Sequence, residues 1–235
     1  METRVIKIGG SMVSSDASKL VDTDYLFRLK SMIMQDYSTN GNKYMLVIGG
    51  GAVMRKYRDV LEEAGITNTT NLHWVGTAVN VLNAMIVKAV FDEAADDDVL
   101  KFEEYYDNKP LLIENIVKIG GGGRPGHSGD MDAFIAAQRL GSSVIYSLKN
   151  VDGVYDSDPH NNSHAKRKNR LTWDEYLDII GNPAEHEPGA NYPIDPVTSR
   201  MSRDAGMKFI ILSGLDLKNV EQALKGENFV GTIVQ

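Results

Sequence analysis

Six short runs of this chain are apolar on nearly every residue, and most of them end at glycine: RVIKIGG, YMLVIGGG, LLIENIVKIGG, SSVIYSLK, KFIILSG and FVGTIVQ. A strand with one wet face alternates apolar with polar residues. A run without alternation is buried on both faces, as in a parallel sheet covered by helices on either side. Segments of helical period lie between the runs. Asp24 to Met34 carries Leu26, Phe27, Met32 and Ile33, and Val53 to Ala64 carries Val53, Tyr57, Val60, Leu61 and Ala64. TWDEYLDII opens with Thr172 three residues before Glu175, the spacing of a capping box. The alternation predicts an α/β fold, a three-layer α/β/α sandwich with a mostly parallel central sheet. The polar, turn-rich stretch from Asp152 to Asn169 is the best candidate for a boundary between lobes.

Three glycine clusters follow apolar runs: VIKIGGS at Val5 to Ser11, MLVIGGGAVMR at Met45 to Arg55, and KIGGGGRPGHSGDMDA at Lys118 to Ala133. In such a sheet, ligands gather beyond the C-terminal ends of the strands. Bare backbone N–H groups at those turns, and at the helix N-termini behind them, suit anions such as phosphate. Any one cluster is equally well a tight turn; three together favour phosphate.

The composition narrows the chemistry. Cysteine is absent, which removes disulfides, thiolate nucleophiles and thiolate metal sites together, and points to a reducing, cytoplasmic setting. The formal charge of -7 argues against a broad nucleic-acid footprint. HAKRKNR, His164 to Arg170, is a local basic exception, read more readily as a solvated loop than as a phosphate site. The longest apolar runs are too short to cross a bilayer, and no signal-peptide pattern precedes the first strand, so no membrane partner is expected.

Several familiar motifs fail. The pattern GxxxxGK[ST] does not occur. Gly121, Gly123 and Gly126 satisfy GxGxxG, but Pro125 interrupts it and no acidic residue closes a strand at the required distance. GHSGD lacks the closing glycine of a hydrolase nucleophile elbow. The histidines show no metal-binding spacing. What remains is Lys7 two positions before Gly9 and Gly10, and Arg55 just after the second cluster. Cations facing glycine amides across a cleft suit phosphoryl transfer, whose catalysis is mostly positioning and charge neutralisation.

The blocks KIGGS, GGGAVMRKY, GRPGHSGD, NVDGVYDSDP followed by LTWDEYLDIIG, IDPVTSRMSRDAGMKFIIL and GENFVGTIV resemble, over nearly the whole chain, the amino-acid kinase superfamily and within it the uridylate (UMP) kinases of the short archaeal type. The resemblance implies a single domain over 1–235, with an acceptor-binding part at about 1–150 and an ATP-binding part at about 151–235. It implies ATP-dependent conversion of UMP to UDP, with magnesium arriving on the ATP phosphates and no protein residue assigned to the metal. By the same resemblance, Lys7 contacts the transferring phosphoryl group while Gly9, Gly10 and Ser11 cradle it. Gly50, Gly51 and Arg55 hold the acceptor phosphate. Gly126, His127, Ser128 and Gly129 border the acceptor, with Asp130 beside the reaction centre. Lys149, Tyr155 and Asp158 fall in the adenosine pocket, and Asp195 orients the catalytic lysine. A homo-oligomer, a hexamer in the family, is implied as well.

Plain readings stand beside these roles. Asp130 and Asp195 each suit a helix cap, and Asp132 reads as a helix-start charge rather than a catalyst. The chain also departs from the family pattern twice. His73 stands where an aspartate binds the ribose, and Ser128–Gly129 replaces a pair of hydroxyl residues that help recognise uracil. Each hydrogen bond left unreplaced costs about 1–3 kcal/mol. His73 either reaches the ribose itself or is a helix-start residue with no ligand. Two alternatives therefore stay open: a kinase for a different acceptor, and a non-catalytic nucleotide or oxyanion storage protein of the same fold.

Overall fold

The computed structural model describes residues 2–16, 18, 20–159, 161–184 and 192–235. Its centre is an eight-stranded sheet built from β1 (Thr3–Ile8), β2 (Lys43–Ile48), β3 (Ala95–Leu100), β4 (Val117–Gly120), β5 (Val144–Lys149), β8 (Arg170–Leu171), β9 (Lys208–Ser213) and β10 (Thr232–Val234). The strands lie in the order β3-β4-β2-β1-β5-β9-β10-β8. Every neighbouring pair is parallel except β9 and β10, as the unbroken apolar runs require. Within Asp152 to Asn169, β6 (Val154–Tyr155) and β7 (Arg167–Lys168) form a separate antiparallel pair.

Helices cover both faces. Alternate residues of β1 and β2 explain how. Ile6, Ile8, Tyr44, Leu46 and Ile48 point into a core shared with α1 (Gly10–Val13), α2 (Thr23–Asn40), α4 (Thr69–Phe91) and α8 (Leu217–Leu224). Val5, Met45 and Val47 point the other way, into a core with α5 (Gly129–Leu140), α6 (Trp173–Ile179) and the approach to α7 (Pro196–Asp204). α3 (Gly51–Glu63) packs beside α4. Each large side chain buried this way contributes about 1.5–3 kcal/mol, and the three layers match the expected sandwich. The predicted capping box forms as spelled: Thr172 Oγ1 accepts the Glu175 N–H at 3.2 Å, and Glu175 accepts the Thr172 N–H at 2.8 Å.

Two local expectations need correction, and one strand was not foreseen. LLIENIVKIGG becomes strand only over Val117–Gly120; its first half runs as loop, with Leu111 buried beneath. β3, ADDDVL, was masked by its three aspartates. It is an edge strand with a register shift between Ala95 and Val99, where outward charges are tolerated, and its one buried aspartate, Asp96, accepts the Asn115 N–H at 2.7 Å. Thr69–Ala94, α4 and its last turn, is long and apolar enough by length and composition to cross a membrane, which qualifies the expectation drawn from run length. Ala84, Val87 and Phe91 on this helix are buried in the core of the sheet.

Candidate active site

The first two glycine clusters meet. β1 and β2 run in register to Ile8 and Ile48, so their turns emerge side by side. A Cβ on Gly10 would lie 1.9 Å from the Gly51 nitrogen, and Gly51 itself has φ +69. These glycines are needed because two backbones touch, and α1 and α3 both start at this junction. Asn83 of α4 braces it from behind, donating to Gly49 O at 2.9 Å and Gly50 O at 3.0 Å. Ser11 is half-buried in α1, while Arg55 is exposed on α3 and makes no ion pair among the described residues.

Beside the junction lies a buried charge cluster. Lys7, near the end of β1, and Lys149, at the end of β5, both place Nζ 3.2 Å from Asp130 Oδ1 in the first turn of α5. All three side chains are at most 13% exposed. Burial raises the Asp130 carboxyl, but Lys149 and Lys7 overcome it and hold the group below the usual carboxylate range. For Lys149 burial acts downward, Lys7 pushes the same way, and Asp130 opposes them, with a lowered ammonium pKa as the result. Two ammonium groups share one carboxylate at a helix N-terminus, so the cluster is short of negative charge and suited to an anion.

The third glycine cluster is the loop from β4 to α5. Gly126 has φ +88, and a Cβ there would lie 3.4 Å from His73 Nδ1, so the His73 ring lies alongside the loop backbone. A Cβ on Gly129 would lie 3.3 Å from Lys7 Cε. His127 Nδ1 lies 2.5 Å from the Tyr106 hydroxyl, and burial, reinforced by Arg124, pushes its imidazole down. Arg124 stacks 3.8 Å over the Tyr106 ring and pairs with Glu103 at 2.7 Å. Ser128, not Asp130, caps α5: its Oγ accepts the Met131 N–H at 3.1 Å and donates to Asp195 Oδ2. Asp195 caps α7, accepting the Thr198 N–H at 2.9 Å, so the plain reading of Asp195 as a cap holds, and the same carboxylate ties α7 to the loop. The carboxylate that touches Lys7 is Asp130.

Lys149, grouped with the adenosine pocket by resemblance, thus turns its ammonium to Asp130. Tyr155 donates its hydroxyl to Asp152 Oδ1 at 2.9 Å, and Asp158 is exposed and accepts the Asn161 N–H through its backbone at 3.1 Å. Asp132 is the clear departure. Read as a helix-start charge, it does stand in the first turn of α5, but it is buried against the loop, accepting the Gly123 N–H at 3.0 Å, and burial pushes its carboxyl up to about 7. Sequence reasoning also gave no role to Tyr106 and Glu103, which carry no motif, or to Arg124, which lies within GRPGHSGD. Among the described residues no group of three or more His, Cys, Asp or Glu could hold a metal ion.

The sequence model of the Amino acid kinase family matches residues 2–213. Uridylate kinase of Haloquadratum walsbyi is 29% identical over 227 residues, 95% of this chain and 90% of that protein. Uridylate kinase of Methanococcus aeolicus is 30% identical over 212 residues, 89% of this chain and 90% of that one. Among solved structures, uridylate kinase from Archaeoglobus fulgidus superposes with a TM-score of 0.76 at 28% identity, covering 99% of this chain and 100% of its own. UMP kinase from Bacillus anthracis superposes at 0.79 with 20% identity over 99% and 95%, which speaks to the fold alone.

Proposed function

This chain belongs to the amino acid kinase family, and on that premise we propose that it is an ATP-dependent nucleoside monophosphate kinase converting UMP and ATP to UDP and ADP. The observation that carries the reading is the Lys7–Asp130–Lys149 cluster, buried beside the junction of two glycine turns. The names of the relatives supply the acceptor. A phosphate oxygen of UMP, already ionised at neutral pH, attacks the γ-phosphorus of ATP. The bond from that phosphorus to the bridging oxygen breaks, and ADP leaves with the electron pair, so no general base is required. Lys7 and Lys149 balance the charge that the two phosphate chains bring together, and Asp130 holds both lysines in place. The amides of Gly9 and Gly10 with Ser11 cradle the transferred group; Gly50, Gly51 and Arg55 take the acceptor phosphate; Gly126, His127, Ser128 and Gly129 line its nucleoside. Tyr155 and Asp158 border the adenosine. Magnesium, bound mostly by phosphate oxygens and water, would offset phosphate charge.

The domain division follows the same reading: one domain, acceptor side at about 1–150 and nucleotide side at about 151–235, in a cytoplasmic enzyme of pyrimidine nucleotide synthesis. We infer a homo-oligomer as well, supported by Trp74, Leu82 and Met85 on α4 and Tyr57 and Val60 on α3, all apolar and roughly half exposed. Light scattering on the purified protein checks this.

One observation favours a changed acceptor: His73 stands against Gly126, and Gly129 offers no side chain. The test is ADP release from ATP and magnesium with UMP, CMP, dUMP, dTMP, AMP, GMP, aspartate, glutamate and acetylglutamate, with Lys7→Ala as control. Turnover on UMP above all others, lost in the control, is expected. Preference for another acceptor reassigns the substrate, and silence from folded protein that still binds ATP refutes the kinase reading.

A further inference from the structure

We propose that Asp132 is a positioning residue for the reaction: from inside α5 it anchors the β4–α5 loop by the Gly123 amide, and so sets where Gly126, His127 and Ser128 stand for the acceptor. The kinetic part of this rests on the kinase reading above; the anchoring does not.

The geometry is specific. Asp132 is 1% exposed, in the first turn of α5, where an aspartate normally faces water. Its Oδ2 accepts the Gly123 N–H at 3.0 Å, while Oδ1 is buried without a hydrogen-bond partner. A Cβ on Gly123 would lie 2.2 Å from that Oδ1. The fourth glycine of the cluster therefore leaves room for the carboxylate rather than for a ligand. The start of the loop is held by the sheet edge: Gly121 N–H donates to Leu100 O at 3.0 Å, and Gly122 O accepts from Phe102 N–H at 2.8 Å. The far end is held by Ser128 on Asp195. Asp132 supplies the grip between them, just ahead of the Arg124–His127 turn, closed by a 3.0 Å backbone bond, that carries Gly126 to the side of His73.

The surroundings make this an expensive place for a carboxyl group. Burial is the main cost, and Asp130 on its own helix and Asp195 at the start of α7 repel the charge as well, while the Gly123 N–H and then Lys7 on β1 favour it; Tyr105 and Tyr106, in the 3-10 turn Phe102–Tyr106, face it too. An apolar side chain would fill the same core position without that cost. What such a residue cannot do is accept the Gly123 amide, which would then be buried unpaired.

The test pairs steady-state kinetics with hydrogen exchange on the unliganded protein, for wild type, Asp132→Ala, Asp132→Asn and Gly123→Ala. Asp132→Ala is expected to raise the acceptor KM about tenfold while kcat and the ATP KM change less than about threefold, and to speed exchange across 120–127 about tenfold. Asp132→Asn keeps an amide oxygen for Gly123 and should stay within about threefold of wild type in kcat and both KM values, with exchange across 120–127 no faster than wild type. Gly123→Ala drives a methyl group against Oδ1 and should reproduce the Asp132→Ala phenotype, adding little when combined with it. Unchanged acceptor KM and exchange in Asp132→Ala, or equal losses for acceptor and ATP, overturn the proposal. Wild-type protein without UMP turnover refutes the kinase reading instead, and the exchange data then decide the anchor.

Discussion

Lys7 Nζ and Asp130 Oδ1 lie 3.2 Å apart, and Lys149 reaches the same carboxylate oxygen at the same distance. One carboxylate thus keeps two buried ammonium groups beside each other. Asp130→Ala should destabilise the protein by about 3–5 kcal/mol, because both lysines are left buried without a counter-charge. Urea unfolding measures it, and added ATP should recover part of the loss by supplying anions that bind the folded state. Lys7→Ala should behave oppositely, with near wild-type stability and a kcat lower by about 10²–10³.

Lys149 makes a second, pH-resolved prediction. Its pKa is lowered in the free protein, first by burial and then by Lys7. Phosphates entering the cluster favour the charged ammonium and raise that pKa, so nucleotide binding near pH 8 should take up protons. Calorimetric titration of ATP in two buffers of different ionisation enthalpy reads the number directly. Lys149→Met should remove the uptake; equal enthalpies in both buffers for the wild type would refute the assignment.

The sequence disclosed the parts of this site that are local and hid the parts that are tertiary. β1 and β2 were readable because both their faces are buried, and the turns after them because glycine clusters there. The reason for Gly10 was not readable: it is the Gly51 backbone, 41 positions away in the chain, rather than a ligand, that excludes its Cβ. Lys149 and Asp132 illustrate the same limit. Each carries a charge that a one-dimensional reading assigns to solvent or to the nearest motif, and only the packing of α5 against β1, β2 and β5 turns them inward. β3 was hidden for the opposite reason, since an edge strand carries polar residues that a buried strand refuses.

His73 bears on acceptor recognition. Because its ring lies against Gly126, His73→Ala should lower kcat/KM for UMP by about 5- to 10-fold through the acceptor KM, as the loss of one hydrogen bond to a bound nucleoside does. The ATP KM should not move. An unchanged acceptor KM would return His73 to the status of a helix-start residue without a ligand.

Asp132 predicts an unusual pH dependence of stability. Its carboxyl is raised to about 7 in the folded protein, above all by burial, against an unfolded value near 3.8. Between those two values the folded state holds a proton that the unfolded chain has released. Stability from this group is therefore fully present below about pH 4, falls as pH rises, and is lost above about pH 7. Asp132→Asn stays neutral throughout and keeps the Gly123 contact. It should match wild type near pH 4 and exceed it increasingly up to pH 7, by about 2–4 kcal/mol at the plateau. Chemical denaturation of both proteins across pH 4 to 8 gives the difference curve. A flat curve would mean that the buried carboxylate is already stabilised in its charged form, and a curve of opposite sign would place the Asp132 pKa below its unfolded value.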